Sequence, residues 1–309
     1  RGKLPIPLKY FGAHTGRWSG LDAVNLQNLP SRDKKKKALK KSIVAPAGHV
    51  VVNCDSSQIE ARVLAWLAGQ DDVVQQFADG DDVYSIFASK IYDKPISRDN
   101  PIERFVGKTC ILGLGYGTGA EKLRHTLKTQ PPGADLRIEE CIDIVKLYRD
   151  TNDKIVGLWR ECDSALNQMM SWSDRTKEFA IGRHDTVLAT KDGVRLPNGL
   201  YIRYSQLQLV DGKMKYASRR GPVSIWGGAM VENIVQALAR IIVGEQMIEL
   251  NKRYRPVLTV HDAAVCVVPK DELDQALGYI TGIMSTPPVW APGLPVACEA
   301  KYSESYGGC

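Results

Sequence analysis

The sequence predicts an α+β fold rather than a regular alternation of strands and helices. Three observations predict it. A short β-rich run, Val50-Val51-Val52-Asn53-Cys54-Asp55, leads into a helical stripe of Ile59, Val63, Trp66 and Leu67. Helical patterns then dominate as far as about residue 172. Near the C-terminus, Val257-Leu258-Thr259-Val260 and Ala264-Val265-Cys266-Val267-Val268 flank His261-Asp262, the pattern of a buried hairpin with a polar tip.

The bulk properties allow such a fold and exclude others. A chain of 309 residues makes roughly two domains, or one large domain with an insertion, and can bury a sizeable core. Hydrophobic residues at 44% and charged residues at 25% are ordinary for a folded protein, which argues against disorder, collagen and coiled coil. No run approaches 18 apolar residues, so no membrane span and no membrane partner are expected. The net charge of +6 permits a polyanionic partner without requiring one. The seven cysteines are odd in number and form no CxxC pair, which points to buried thiols in a reducing, cytoplasmic setting. The chain starts Arg1-Gly2-Lys3-Leu4, with no initiator Met and no signal pattern, so a fragment or processed piece is expected.

The elements follow in order. Residues 1–30, rich in Gly, Pro, Asn and Ser, read as ordered loop or short strands. The lysines at 34–37, 40 and 41 read either as a solvated turn or helix face or as a phosphate-backbone contact. Ser56-Ser57 offers a helix cap, so Asp55 stands at a strand end just before a helix. Helices are expected at about 72–78, 82–92, 101–114, 138–150, 153–172, 228–250 and 271–284, with Pro101 in the first turn of its helix. The glycines at 115, 117 and 119 break the third of these, and Gln130-Pro131-Pro132-Gly133 is a loop. Asp192-Gly193, Asn198-Gly199 and Asp211-Gly212 mark hairpins over 185–225, and a last strand covers about 295–302.

Two constellations carry chemistry. Arg104, Lys108, Leu112 and Tyr116 are spaced by four. That spacing suits either an amphipathic helix with snorkelling cations or a grip on a polyphosphate, with Arg as a planar fork and Lys as a mobile point charge. Asp55 and Asp262 each end or tip a short buried strand, and carboxylates on adjacent strands can hold two Mg²⁺ ions. His261-Asp262 alone also fits a metal-dependent phosphohydrolase, although the five histidines show no ligand spacing. Gly115-Tyr116-Gly117-Thr118-Gly119-Ala120 matches a dinucleotide-binding pattern only weakly, because it follows a helix and lacks a βαβ unit.

These residues also carry a family resemblance. Asp55-Ser56-Ser57-Gln58-Ile59-Glu60-Ala61-Arg62 resembles the first catalytic motif, DYSQIELR, of family A DNA polymerases. Arg104-x3-Lys108-x7-Tyr116-Gly117 is similar to the family's fingers helix, and Val260-His261-Asp262 to its third motif, VHDE. Thr15-Gly16-Arg17-Trp18-Ser19 and Asn25-Leu26-Gln27-Asn28-Leu29-Pro30 resemble the upstream TGRxS and NLQNIP segments. The run Gly227-Gly228-x-x-Val231-Glu232-Asn233-Ile234-x-Gln236 resembles the bacteriophage branch. The matches fall in the family's order over about residues 10–265.

The resemblance implies a right-hand polymerase without its thumb. An antiparallel palm sheet would draw on residues 1–70 and 191–309, with a large helical fingers insertion at 71–190. It implies template-directed addition of deoxynucleotides to a primer, with two Mg²⁺ ions, dNTP and primer–template DNA. Asp55, Asp262 and the Ser56 carbonyl would hold metal. Arg104 and Lys108 would hold the triphosphate, with Lys108 as proton donor to pyrophosphate. Glu60 would be the gate against a ribose 2′-OH, with Tyr116 packed on it and Gln58 and Leu112 on the nucleotide side. Arg17, Gln27 and Gln236 would read the minor-groove edge, with Asn25, Asn233 and His261 also on the DNA side. A thumb and exonuclease would lie in an N-terminal region or chain not present here.

Three departures stand out. Ala263 replaces the usual Glu of the third motif. Leu112 replaces Phe or Tyr, so altered sugar selectivity is expected. Tyr84 replaces a phosphate-binding His, which removes one cation. A DNA-binding remnant without catalysis is the rival that Ala263 and the missing thumb motivate.

Overall fold

The computed structural model describes residues 4–21, 25–29, 37–174 and 176–309. They form two compact units. The first comprises residues 1–59, 236–292 and 296–309, the second 60–235 and 293–295. The units change at Ile59/Glu60 and Val235/Gln236, whereas the sequence reading divided the chain at about 70 and 190.

The first unit is built on a four-stranded antiparallel sheet. Its order is Pro256–Val260, Ala263–Pro269, His49–Ser56, Cys298–Ser303. Side chains alternate across a strand, and here both faces are covered. Val50, Val52 and Cys54 pack with Ala264, Cys266 and Val268 under the helix Leu273–Met284. Val51, Val265 and Leu258 pack on the other face with Leu26 and Tyr306. Coverage on both faces explains why this strand reads as an unbroken apolar run rather than an alternating one. The N-terminal segment pairs Leu8–Lys9 with Ser19–Gly20, in line with the short strands expected there.

The second unit is mainly helical. Its helices are Ile59–Ala68, Asp71–Ala78, Val83–Tyr92, Pro101–Leu114, Ala120–Thr129, Ile138–Thr151 and Asp153–Ser171. The sequence reading missed Ala120–Thr129. Its signal was Leu123 and Leu127, one turn apart and both buried, following Gly119. The helix expected from 271 starts as a 3-10 turn, Lys270–Glu272. Glu178–Ile181, Val187–Thr190, Gly193–Arg195 and Tyr201–Ile202 form one antiparallel sheet, and Gln208–Val210, Lys213–Ser218 and Gly221–Ser224 another. Asp211 and Gly212 join two of these strands, both with positive φ (51° and 72°). A two-residue loop of this kind matches the right-handed strand twist.

Phe87, Val106, Cys110, Leu114, Leu123, Leu127 and Tyr148 make the main helical core. Gly107 lets two of these helices touch. A Cβ there would lie 2.2 Å from the Tyr84 carbonyl oxygen and 3.0 Å from Ala88 Cβ. Helix propensity alone favours Ala over Gly by about 1 kcal/mol. The collision with backbone outweighs it, so Gly107→Ala is expected to destabilise the protein by about 2 kcal/mol in urea unfolding. A more stable variant would mean that the helices part without cost.

Candidate active site

Strand register places the two acids. Asp55 lies opposite Ala263 on one neighbouring strand and opposite Glu299 on the other. Asp262 occupies the second position of the two-residue turn between Pro256–Val260 and Ala263–Pro269. His261, the first turn residue, has φ 54°, the left-handed conformation that tight hairpin turns require. The Ser56 amide donates to the Asp262 carbonyl oxygen at 3.2 Å, which ties the turn to the central strand.

The electrostatics record the crowding. Partial burial, then the Asp262 carboxylate, then Glu299, push Asp55 up to about 6, while Lys301 pulls the other way. Burial also raises Asp262, against a backbone hydrogen bond, His261 and Arg17. Arg17 and Lys301 thus offset part of the cost, but burial outweighs them at both acids. The Ser56 hydroxyl is buried without a hydrogen-bond partner among the described residues. Two carboxylates at this corner suit a hard cation that takes its remaining ligands from water and phosphate, whereas the Ser56 hydroxyl lies on the opposite face of the strand from Asp55. Among the described residues no group of three or more His, Cys, Asp or Glu forms a metal-ligand set. Ala263 is buried on the same face as Asp55, where its methyl group leaves that carboxylate without an acidic neighbour on this strand.

The other sequence-predicted residues distribute as follows. Gln58 sits in the turn after the strand with φ 54°, a costly conformation for a side-chain-bearing residue. Glu60 follows in the first turn of Ile59–Ala68. In the first unit, Gln27 donates to the Thr259 carbonyl at 3.2 Å, and Asn25 accepts from the Gln27 amide at 3.0 Å. Both therefore brace the hairpin that carries Asp262. Gln236 lies within the helix Gly227–Leu250. In the second unit, Asn233 donates to the buried Tyr204 hydroxyl at 3.1 Å. Lys40 lies 4.7 Å over the Tyr306 ring, whereas Lys34–Lys36 fall outside the described residues.

Arg104 and Lys108 lie on the helix Pro101–Leu114. Tyr116 does not continue their face, because the helix ends at Leu114 and Tyr116 stands in the glycine-rich turn beyond. The Trp159 indole donates to the Gly115 carbonyl at 2.8 Å and fixes that turn. Leu112, Tyr116, Lys122, Trp226 and Glu232 line a cleft of about 530 Å³. Leu112 is 41% exposed, so an apolar side chain is presented to the cleft.

A sequence profile described as DNA polymerase family A matches residues 6–176, more than half of the chain. The chain belongs to DNA polymerase family A. It is 29% identical to the DNA polymerase of Bacillus phage SP02, over 97% of this chain and 52% of that protein. It is 34% identical to the thermostable DNA polymerase I of Thermus aquaticus, over 99% of this chain and 32% of that protein. Its fold is similar to the POL domain of Pol1 from M. smegmatis, solved in complex with DNA primer-template and dNTP, with a TM-score of 0.70 at 21% identity. That alignment covers 100% of this chain and 49% of the other. This family A chain thus spans about half, or less, of the relatives it matches. Polymerases of the family generally use divalent metal ions, and the Asp55–Asp262 corner of this family A chain has the donors for one. Among the described residues no helix is long and apolar enough to cross a membrane.

The raised Asp55 pKa makes a test in metal-free buffer. An acid whose folded pKa lies above its unfolded value binds protons more tightly when folded, so stability falls as pH rises from about 4 through about 6. Asp55→Asn removes the cost of burying that charge and its repulsion from Asp262 and Glu299. In EDTA it is expected to raise stability at pH 7.5 by on the order of 1 kcal/mol after screening by solvent, with the gain fading towards pH 4. A variant no more stable than wild type at pH 7.5 would show that burial and the neighbouring acids do not raise Asp55.

Proposed function

We propose that this chain is the catalytic core of a DNA-directed DNA polymerase acting in DNA replication in a cytoplasm, with two Mg²⁺ ions as cofactor. Residues 1–70 and 191–309 serve as palm and 71–190 as fingers. The substrates are a primer–template DNA and a dNTP. The primer 3′-oxygen attacks the α-phosphorus, its proton leaves, and the bond to pyrophosphate breaks. When bound, the metal ions lower the pKa of the 3′-OH and neutralise the leaving pyrophosphate.

The chain's own residues do the rest. Asp55 and Asp262, with the Ser56 carbonyl, hold the ions. Arg104 and Lys108 hold the triphosphate, and Lys108 gives a proton from Nζ to the departing pyrophosphate. Glu60 excludes a ribose 2′-OH, with Tyr116, Leu112 and Gln58 around the nucleotide. Arg17 and Gln236 contact the minor-groove edge of the duplex, with Gln27, Asn25, Asn233 and His261 supporting that side. The observation that carries this reading is the register that brings Asp55 next to the Asp262 turn, two mutually repelling acids on adjacent strand ends. Family membership supports it.

Primer extension at low salt tests it. Wild type extends a primer according to its template. Asp262→Ala is expected to fall by more than the roughly 10–100-fold typical of a change outside the ligand shell. Glu60→Ala is expected to gain ribonucleotide incorporation. Phosphate release from nucleotides without a primer would favour the phosphohydrolase reading. DNA binding that is indifferent to both acids, without extension, would favour the remnant.

A further inference from the structure

The acid Asp82 and the ring of Tyr84 surround the two cations in an arrangement that the resemblance did not supply. Asp82 stands at the N-cap position of the helix Val83–Tyr92, where an aspartate ordinarily accepts from its own helix amides. Here no side-chain cap bond closes, and the Ser85 amide only adds to the pull that lowers the acid's pKa. Its carboxylate turns instead to Arg104. Arg104 Nε donates to Oδ2 at 2.6 Å and an Nη donates to Oδ1 at 3.1 Å, a two-point fork. The Ser85 hydroxyl holds Oδ2 from the other side at 2.9 Å.

The pair is largely screened from water, with side-chain exposures of 27% and 19%. Burial works to raise the Asp82 pKa, but the hydrogen bonds from Arg104 and Ser85 outweigh it and hold the carboxyl below its usual range. Arg98 Nε, 4.0 Å from Oδ2 and well exposed, adds a second positive charge. Tyr84, the next residue but one, is 5% exposed. The Arg104 guanidinium lies 5.4 Å from its ring centroid and Lys108 Nζ lies 5.9 Å from it. A ring face attracts cations and keeps them side by side despite their mutual repulsion.

We propose that Asp82 is a positioning residue for triphosphate binding, acting through Arg104, with Tyr84 as the shared floor beneath Arg104 and Lys108. This rests on the polymerase reading. A guanidinium has five N–H donors. Asp82 takes two of them, so three remain, on a fork held at two points. Ordering the fork before binding removes a cost that a free arginine side chain would meet on each encounter.

The test measures two quantities on the same variants. Binding of inorganic tripolyphosphate is followed by calorimetry without DNA, and KM for dNTP is separated from kcat in primer extension. Asp82→Ala is expected to weaken tripolyphosphate and raise KM by about tenfold, the size of one charge-assisted hydrogen bond, with kcat within about twofold. Asp82→Glu, which keeps the charge, recovers most of the loss. The double variant Asp82→Ala/Arg104→Ala binds tripolyphosphate no more weakly than Arg104→Ala alone, because the acid acts through the arginine. Thermal unfolding confirms that each variant is folded. Additive losses, or tighter tripolyphosphate binding by folded Asp82→Ala, overturn the proposal, the latter because the acid would then compete with phosphate. Wild type that binds tripolyphosphate with this coupling but extends no primer would refute the polymerase reading and leave the positioning role standing.

Discussion

The register of the strand His49–Ser56 is the constraint on which the candidate site depends. It is an inner strand, paired on both sides by segments far away in sequence. Side chains alternate with a period of two, so a slip of one residue would turn Asp55 to the opposite face and Cys54 outward. The slip is prevented by burial on both faces. Val50, Val52 and Cys54 fit one core, and Val51 fits another. The apolar residues thus fix the position of an acid they do not touch. The tolerance for two repelling carboxylates comes from the same source, since the sheet would lose far more by shifting than it gains by separating them.

In the helical unit the equivalent constraint is closeness. Gly107 permits one helix to lie against the backbone of the next, and that contact sets Asp82 and Tyr84 beside Arg104 and Lys108. The cations are held on a rigid surface rather than on a mobile loop. The charge of Arg104 is partly balanced by Asp82.

Much of this was legible in sequence, for physical reasons that differ by element. The hairpin around His261-Asp262 showed itself because β-rich runs and a polar tip are local signals. The helix Pro101–Leu114 showed itself through Pro101 and the glycines that end it. The pairing of Asp55 with Ala263 and Glu299 was not legible, because register joins segments that periodicity treats separately. Nor was the Asp82–Arg104 fork, since the two residues lie 22 positions apart on different helices. The helix Ala120–Thr129 was obscured by its polar composition and by the glycines before it. Tyr84 read as the loss of a cation, and its role as a ring beneath two others needed three-dimensional placement.

The central strand also has a history within synthesis. His49–Ser56 leaves the ribosome before its partners Pro256–Val260 and Ala263–Pro269, which follow about 200 residues later. At roughly 5–20 residues per second that is a wait on the order of 10–40 s. Throughout it, an apolar β-run with both edges unpaired is available to any other strand. The intervening residues 60–235 form the other compact unit, which can collapse during the wait. The sheet must close last, around the loop of chain that this unit has already shortened. Slow, non-local closure of this kind makes the nascent chain, rather than the finished protein, the form most exposed to aggregation.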